Sequence, residues 1–241
     1  MGIAALRLPH ALRRRGCETV QYVAERNARY PVLLVHGYAA TECVWTPLRS
    51  ALVQAGFGHI VSFNYNSFAA DPAAVSAELT HQALQTLAAA GATRIHLVGH
   101  SLGGLIVRRA LAASAALSAQ TASAVTIASP HRGALLARIA PGRCARIMHP
   151  GPRSEPPWVD ASGPVRWLAY YSDADRIVSP ASARLDDTRY GAANVLIPGC
   201  GHLTICRDVR LIGSLVPELI RTETLADPAV PAGVGRELMA A

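Results

Sequence analysis

The sequence contains no lysine, so all 23 of its basic residues are arginines. Set against 16 acidic residues, they give the chain a formal net charge of +7 at pH 7. The arginines are scattered, apart from a triplet at residues 13–15 and a looser group at Arg143, Arg146 and Arg153. Nucleic-acid-binding domains gather their basic residues on one face, so this distribution predicts no nucleic acid partner. The net positive charge is compatible with a weak attraction to an anionic lipid or membrane surface.

Long hydrophobic runs and a secretory leader are also missing. No stretch of about 18 residues, the length that a membrane-spanning helix requires, is free of polar interruption. A secretory signal has a positive start, then a long apolar stretch and a small-residue cleavage site. Here Arg7 and Pro9 break the first apolar stretch, and the arginine triplet follows it. We therefore expect a cytoplasmic or membrane-peripheral protein with residues 1–29 as a cationic extension; a shortened N-terminus would leave secretion open.

The five cysteines are odd in number and too widely spaced for a disulfide framework. Cys200, His202 and Cys206 lie close together in the sequence, but no second pair of ligands stands at a spacing typical of zinc. The sequence therefore predicts no metal site. It favours free, buried thiols, and a disulfide between Cys200 and Cys206 is the alternative.

The 241 residues, 51% hydrophobic and 16% charged, suit one globular α/β domain. Short apolar runs predict strands at residues 30–35, 60–65, 95–98, 124–128, 165–171 and 194–197. Helix signals lie between most of them, with starts at Thr46-Pro47 and Asp71-Pro72 and further helices at 102–113 and 206–221. This alternation predicts a mostly parallel central sheet flanked by helices. We place the domain at residues 30–222, followed by a loose tail at 223–241.

One predicted strand runs directly into Gly99-His100-Ser101-Leu102-Gly103 and then into an apolar helix. A sharp turn between a strand and a helix exposes the serine hydroxyl and points the helix N–H groups at it. Gly99 and Gly103 suit such a turn, because the two backbones pass close to each other there. Ser101 is therefore the candidate nucleophile.

A serine nucleophile needs a histidine base, which in this strand–turn–helix class follows the serine and an acid in the chain. His131, His149 and His202 are the histidines that follow Ser101. Of these, only His202 comes after two successive predicted strands of which the first ends at a carboxylate. The glycines before it suit a loop that brings the imidazole over Ser101, so His202 is the candidate base.

Two carboxylates, Asp173 and Asp175, stand where the orienting acid is expected. Asp175 precedes the apolar pair Ile177-Val178 and should be the more enclosed. A partly buried carboxylate fixes the tautomer of a catalytic histidine and stabilises its charged form. We favour Asp175 and expect Asp173 to face solvent or to pair with Arg176.

Two backbone N–H groups should stabilise the oxyanion of the reaction. One belongs to Leu102, directly after the nucleophile. The other should come from the loop after the first predicted strand, where we choose Tyr38; Gly37 lets the backbone turn there. The Pro-rich stretch at 131–164 leaves the carboxyl end of a strand, so we expect it to form a substrate-binding loop or partial lid over the site.

These motifs together resemble the α/β-hydrolase superfamily, and within it the small bacterial lipases and esterases. The matching pieces are residues 31–37, 99–104, 129–133, 174–178 and 201–202. The resemblance implies ester hydrolysis through a serine acyl-enzyme on an acyl ester or lipid substrate, without a cofactor. It carries Ser101, Asp175 and His202 over as nucleophile, acid and base. An acyltransferase or thioesterase using the same triad, and a non-catalytic ligand-binding member of the fold, are the alternatives; the oligomeric state stays unknown.

Overall fold

A computed structural model describes residues 22–23, 29–151 and 165–226. Seven strands form one sheet: β1 Tyr22–Val23, β2 Val32–Val35, β3 His59–Phe63, β4 Ile95–His100, β5 Thr121–Ile127, β6 Arg166–Tyr171 and β7 Ala193–Leu196. Their order across the sheet is β1-β3-β2-β4-β5-β6-β7, and only β1 runs antiparallel to its neighbour. The predicted mostly parallel sheet is confirmed.

Six α-helices accompany the sheet in the described part of the chain: α1 Thr46–Gln54, α2 Pro72–Ala90, α3 Leu102–Ala113, α4 Ala115–Gln120, α5 Pro180–Ala183 and α6 Val209–Ala226. Short 3₁₀ helices lie at Glu42–Trp45, Leu135–Ile139, Cys144–Met148, Thr188–Tyr190 and Ile205–Arg207. None of the helices in these described ranges is long and apolar enough to cross a membrane.

The four residues of β2 show how the layers are built. Leu33 and Val35 pack with the apolar faces of α2 and α3, whereas Val32 and Leu34 pack with those of α1 and α6. All four side chains are fully buried. Because helices cover both faces of the sheet, the sequence of this strand is continuously apolar and does not alternate between apolar and polar residues.

The ends of α2 follow the predicted signals. The side chain of Asp71 accepts a hydrogen bond from the N–H of Ala73 at 2.9 Å, and Pro72 occupies the first turn. Gly91 ends the helix in the left-handed conformation, with φ of 61°. In α1, by contrast, Thr46 is the first helical residue and not the cap, because the 3₁₀ helix before it already turns the chain.

Two boundaries differ from the sequence-based expectation. Helix α6 begins at Val209 and continues to Ala226, so the first residues of the predicted tail belong to the last helix. Glu223 on that helix is fully buried and accepts hydrogen bonds from Arg29 at 3.0 Å and from the N–H of Tyr30 at 2.9 Å. Arg29, placed in the extension, is therefore part of the folded unit. Residues 1–21 and 227–241 lie outside the described residues.

Candidate active site

The turn at Ser101 joins the end of β4 to the start of α3 in a conformation that non-glycine residues rarely adopt. Its φ is 52° and its ψ is −121°. The N–H of Ser101 donates to the carbonyl of Ile127 at 2.8 Å, which ties the turn to the neighbouring strand. Such backbone strain persists only where surrounding contacts hold it, and it is concentrated at functional sites.

The glycines of the motif are the reason that strand and helix approach so closely. A Cβ atom at Gly103 would lie 2.2 Å from the carbonyl oxygen of Val35, and one at Gly99 would lie 2.5 Å from the backbone of Gly103. Both distances are far below van der Waals contact. A side chain at either position would therefore separate α3 from the sheet and displace Ser101.

The structure brings Ser101, His202 and Asp175 into one chain of hydrogen bonds. The Oγ atom of Ser101 lies 3.0 Å from Nε2 of His202, and Nδ1 of His202 lies 2.7 Å from Oδ2 of Asp175. All three residues are buried. Residues 101, 175 and 202 meet because β4, β6 and β7 are parallel, so that the loops after them open at the same edge of the sheet.

The carboxylate of Asp175 is held in its charged form. Its Oδ1 atom accepts the N–H groups of Ile177 at 2.8 Å and Val178 at 2.9 Å. Burial alone would raise the pKa of Asp175, but the hydrogen bond and charge of His202 and these two N–H groups together bring the pKa below its usual value. An ionised Asp175 accepts the Nδ1–H of His202, which leaves Nε2 free to take the proton of Ser101.

Asp173 binds the backbone of the loop that carries His202. As predicted it is exposed to solvent, and its Oδ1 atom accepts the N–H of Gly199 at 2.7 Å rather than pairing with Arg176. Ser172 acts in the same way, because its Oγ accepts the N–H of Cys200 at 3.0 Å. The loop between β7 and His202 is therefore anchored to the end of β6, the strand that presents Asp175.

The two candidate oxyanion donors lie beside the serine. Leu102 is the first residue of α3, so its N–H has no acceptor within the helix. A Cβ atom at Gly37 would lie 3.0 Å from Cβ of Ser101, which shows how closely the loop after β2 passes the nucleophile. Tyr38 follows in that loop, and its hydroxyl donates to the carbonyl of Pro141 at 2.6 Å. The roles of the two N–H groups remain predictions.

Two histidines that chain order excluded as candidate bases, His36 and His100, lie beside the candidate catalytic residues. His36 stacks on Tyr65, with ring centroids 4.5 Å apart, and the hydroxyl of Tyr65 donates to the carbonyl of His36 at 2.9 Å. Burial lowers the pKa of His36. His100 contacts the backbone of His202. Their places in the sequence, directly before Gly37 and Ser101, were the signal that could have identified them. Residues next to a nucleophile and to an oxyanion loop shape the geometry of the site.

A cavity of about 250 Å³ opens over Ser101 and His202. Most of its wall is apolar, including Pro130, Leu136, Ala140, Met148, Ile177 and Leu203. Several of these come from the Pro-rich stretch after β5, which the structure describes as far as Gly151. The N–H of Ala134 donates to the carbonyl of Met148 at 2.7 Å, so this part folds back on itself beside the serine. The lid function stays a prediction.

The cysteines near His202 have partners of their own. The thiol of Cys200 donates to Oδ2 of Asp208 at 2.8 Å, and burial together with that carboxylate raises the pKa of Cys200 to about 11. Cys206 is buried, and both thiols are free, so the alternative of a disulfide between them is wrong. Within residues 29–151 and 165–226, no group of three or more metal-ligating side chains is placed to hold a metal ion.

A family model described as "Alpha/beta hydrolase family" matches residues 32–153 of this chain. A triacylglycerol lipase of Pseudarthrobacter phenanthrenivorans is 40% identical over 113 residues, which are 44% of this chain and 34% of that protein. A triacylglycerol lipase of Burkholderia plantarii is also 40% identical over 113 residues, covering 44% of this chain and 30% of that protein. The match thus spans about a third of the length of these relatives.

Solved structures resemble the fold over most of its length. The mature form of the Bacillus licheniformis lipase BlEst2 superposes with a TM-score of 0.68 at 16% identity, covering 84% of this chain and 96% of that chain. XC6422 from Xanthomonas campestris, described as a serine hydrolase without a lid, gives a TM-score of 0.56 at 23% identity and covers 88% and 89%. At such identities the likeness concerns the fold alone.

Proposed function

Because the chain belongs to the alpha/beta hydrolase family, we propose that it is a lipase-like hydrolase of carboxylic esters that acts through a serine acyl-enzyme. The observation that carries the proposal is the continuous chain of hydrogen bonds from Ser101 through His202 to Asp175. A serine hydroxyl is a weak nucleophile unless a base can accept its proton during attack. Here the base lies within hydrogen-bond distance of the serine, and a carboxylate orients the base.

In the first half of the reaction, Ser101 Oγ attacks the ester carbonyl while Nε2 of His202 takes the serine proton. The negative charge that develops on the carbonyl oxygen is stabilised by the N–H groups of Leu102 and Tyr38. The tetrahedral intermediate then collapses, and His202 gives its proton to the departing alcohol. Asp175 stays ionised throughout and stabilises the imidazolium.

In the second half, a water molecule takes the place of the alcohol. His202 removes a proton from the water as the water oxygen attacks the acyl-enzyme, and the same N–H groups stabilise the second oxyanion. Collapse releases the carboxylic acid and returns the proton to Ser101. Water is the only co-reactant that this cycle consumes.

The walls of the cavity support an apolar acyl group as the part of the substrate that is bound. Several apolar side chains at or near its mouth are exposed: Leu135, Leu136, Ile139 and Leu203. Such an exposed group suits contact with a lipid or with a lipid-coated surface. The two relatives named triacylglycerol lipases agree with a lipid ester as the substrate class.

The test is hydrolysis of p-nitrophenyl esters over a series of acyl-chain lengths, with Ser101→Ala and His202→Ala as variants. We expect each variant to lower turnover by about 10⁴-fold or more while the protein stays folded. Mass spectrometry after a short incubation should show an acyl adduct on the wild-type protein and none on Ser101→Ala. Residual activity within tenfold of wild type in Ser101→Ala would exclude the proposed nucleophile.

A further inference from the structure

A second cavity, of about 370 Å³, lies outside the proposed active site and is rich in arginine. Arg109 reaches it from α3, and Arg143 and Arg146 reach it from the segment after β5. Asp71 and the first two residues of α2, Pro72 and Ala73, also line it. Among the described residues, three arginines and one aspartate therefore line the same space. We call this space the arginine groove.

Among the described residues, the arginines of this groove have few acidic partners. Arg143 lies 4.0 Å from Asp71, at the limit of an ion pair, and the other carboxylate oxygen of Asp71 caps the N–H of Ala73. No acidic side chain in the described ranges lies within 4.0 Å of the guanidinium of Arg109 or Arg146. Like charges that share a cavity repel each other, and a bound anion would remove that repulsion.

The walls of the groove are fixed to each other by contacts that need no ligand. Gly142, next to Arg143, packs so closely that a Cβ atom there would lie 2.2 Å from the carbonyl oxygen of Phe68. The thiol of Cys144 donates to the carbonyl of Ala70 at 3.3 Å. The arginine-bearing segment is thereby held against the approach to α2. Fixed walls favour binding because less conformational freedom is lost when the ligand arrives.

We propose that the arginine groove binds a phosphate group, as a monoester or a diester. Guanidinium groups present paired N–H donors in one plane, a geometry that matches phosphate oxygens, and they stay charged at any physiological pH. The start of α2 adds no free donor at its first positions, since Pro72 has no N–H and Asp71 already binds that of Ala73. The arginines therefore carry the recognition.

The groove adjoins the proposed acyl-binding cavity. Ile147 lines the arginine groove, and the next residue, Met148, lines the cavity over Ser101. Both belong to the 3₁₀ helix Cys144–Met148, so this short helix is a wall common to the two spaces. A phosphate group in the groove is consequently bound beside the proposed active site without occupying it.

The phosphate group can come from the headgroup of an anionic lipid surface or from a soluble phosphate ester. Two probes separate these sources: inorganic phosphate, followed by titration calorimetry, and vesicles of phosphatidylcholine with or without phosphatidylglycerol, followed by co-sedimentation. Every protein in the experiment is the full chain carrying Ser101→Ala. This background leaves vesicle esters intact, so failure of the phosphate site is distinguishable from failure of the proposed hydrolysis.

Two triple variants remove the same charge from different places. The groove variant carries Arg109→Gln, Arg143→Gln and Arg146→Gln. The control variant carries three exposed arginines changed elsewhere, Arg132→Gln, Arg207→Gln and Arg221→Gln. Circular dichroism checks that both variants fold.

We expect saturable phosphate or anionic-vesicle binding that weakens at least about tenfold in the groove variant and less than about twofold in the control. Binding of phosphatidylglycerol vesicles that only the groove variant loses identifies a lipid headgroup as the source. Binding of inorganic phosphate without vesicle binding identifies a soluble phosphate ester. Absence of binding to both probes, or equal losses in the two variants, would overturn the proposal.

Discussion

His100 donates a hydrogen bond from Nε2 to the backbone carbonyl oxygen of His202 over 3.0 Å. A carbonyl oxygen only accepts, so Nε2 of His100 carries a proton. Burial, and after it the neighbouring His202, lowers the pKa of His100 to about 3, so its ring is neutral. The residue before the proposed nucleophile thereby fixes the backbone of the proposed base.

This contact makes His100 a positioning residue that a paired substitution can test. His100→Leu removes the donor and should lower kcat about 10- to 100-fold, because a base displaced by a fraction of an ångström loses its alignment with Ser101. His100→Gln keeps an N–H donor and should recover most of that loss. Steady-state kinetics on a p-nitrophenyl ester measures both. Equal kcat values for the two variants would show that the hydrogen bond to His202 has no role.

The two aspartates after β6 offer a matched comparison for the acid. Asp175→Asn should lower kcat roughly 10³- to 10⁴-fold, because the amide cannot hold His202 in the required tautomer or stabilise its charge. Asp173→Asn keeps an oxygen that accepts the N–H of Gly199, and we expect it to cost less than about tenfold. A larger loss in Asp173→Asn than in Asp175→Asn would make Asp173 the acid.

The buried, neutral His100 also predicts how stability depends on pH. Its folded pKa of about 3 lies below the ordinary value of 6.5, so between these values the unfolded chain binds a proton that the folded protein does not. The free energy of unfolding should therefore fall as pH drops below 6.5, by about 1.4 kcal/mol per pH unit from this group. Urea unfolding at pH 7 and pH 5 measures this fall. The free energy of unfolding of His100→Gln should fall by about 2 kcal/mol less than that of the wild type. An equal fall in the variant and in the wild type would contradict a buried, neutral His100 ring.

The sheet and the strand–Ser101–helix turn could be predicted from sequence because their signals are local. Apolar runs, glycine spacing and helix caps each depend on a few neighbouring residues. Chain order left three candidate histidines, and the strands before His202 singled it out; the structure places it against Ser101. The contacts of His100, Asp173 and Glu223 join residues far apart in the sequence. No local pattern marks them, since their partners are backbone groups or side chains that only the packed fold brings near.

A glycine-to-alanine substitution should have opposite effects on stability at Gly103 in the turn and at Gly213 in α6. Gly103→Ala would place Cβ 2.2 Å from the carbonyl oxygen of Val35, and we expect it to lower the free energy of unfolding by about 3 kcal/mol or more. Gly213 lies in α6 with open space at its Cβ position. Gly213→Ala should stabilise the protein by about 0.5–1 kcal/mol, because alanine favours the helix. Thermal unfolding that ranks the two variants in the other order would refute the close approach.

Glu223 connects the last helix to the start of the first parallel strand. Its carboxylate accepts from Arg29 and from the N–H of Tyr30, and it lies 3.1 Å from Nε2 of His96. Both Glu223 and His96 are fully buried, and Arg29 is nearly so. A charge taken out of water in this way is stable only with its partners present.

Glu223→Ala should therefore lower the free energy of unfolding by about 3–5 kcal/mol, since it leaves the Arg29 guanidinium without this carboxylate. Glu218 on the same helix is the control, because its carboxylate is partly exposed in its pairs with Arg166 and Arg221. Glu218→Ala should cost no more than about 1 kcal/mol. Urea unfolding measures both, and equal losses would contradict the buried network. Residues 29, 96 and 223 lie at the amino ends of the strands, opposite Ser101, so kcat of the folded Glu223→Ala protein should stay within about twofold of wild type.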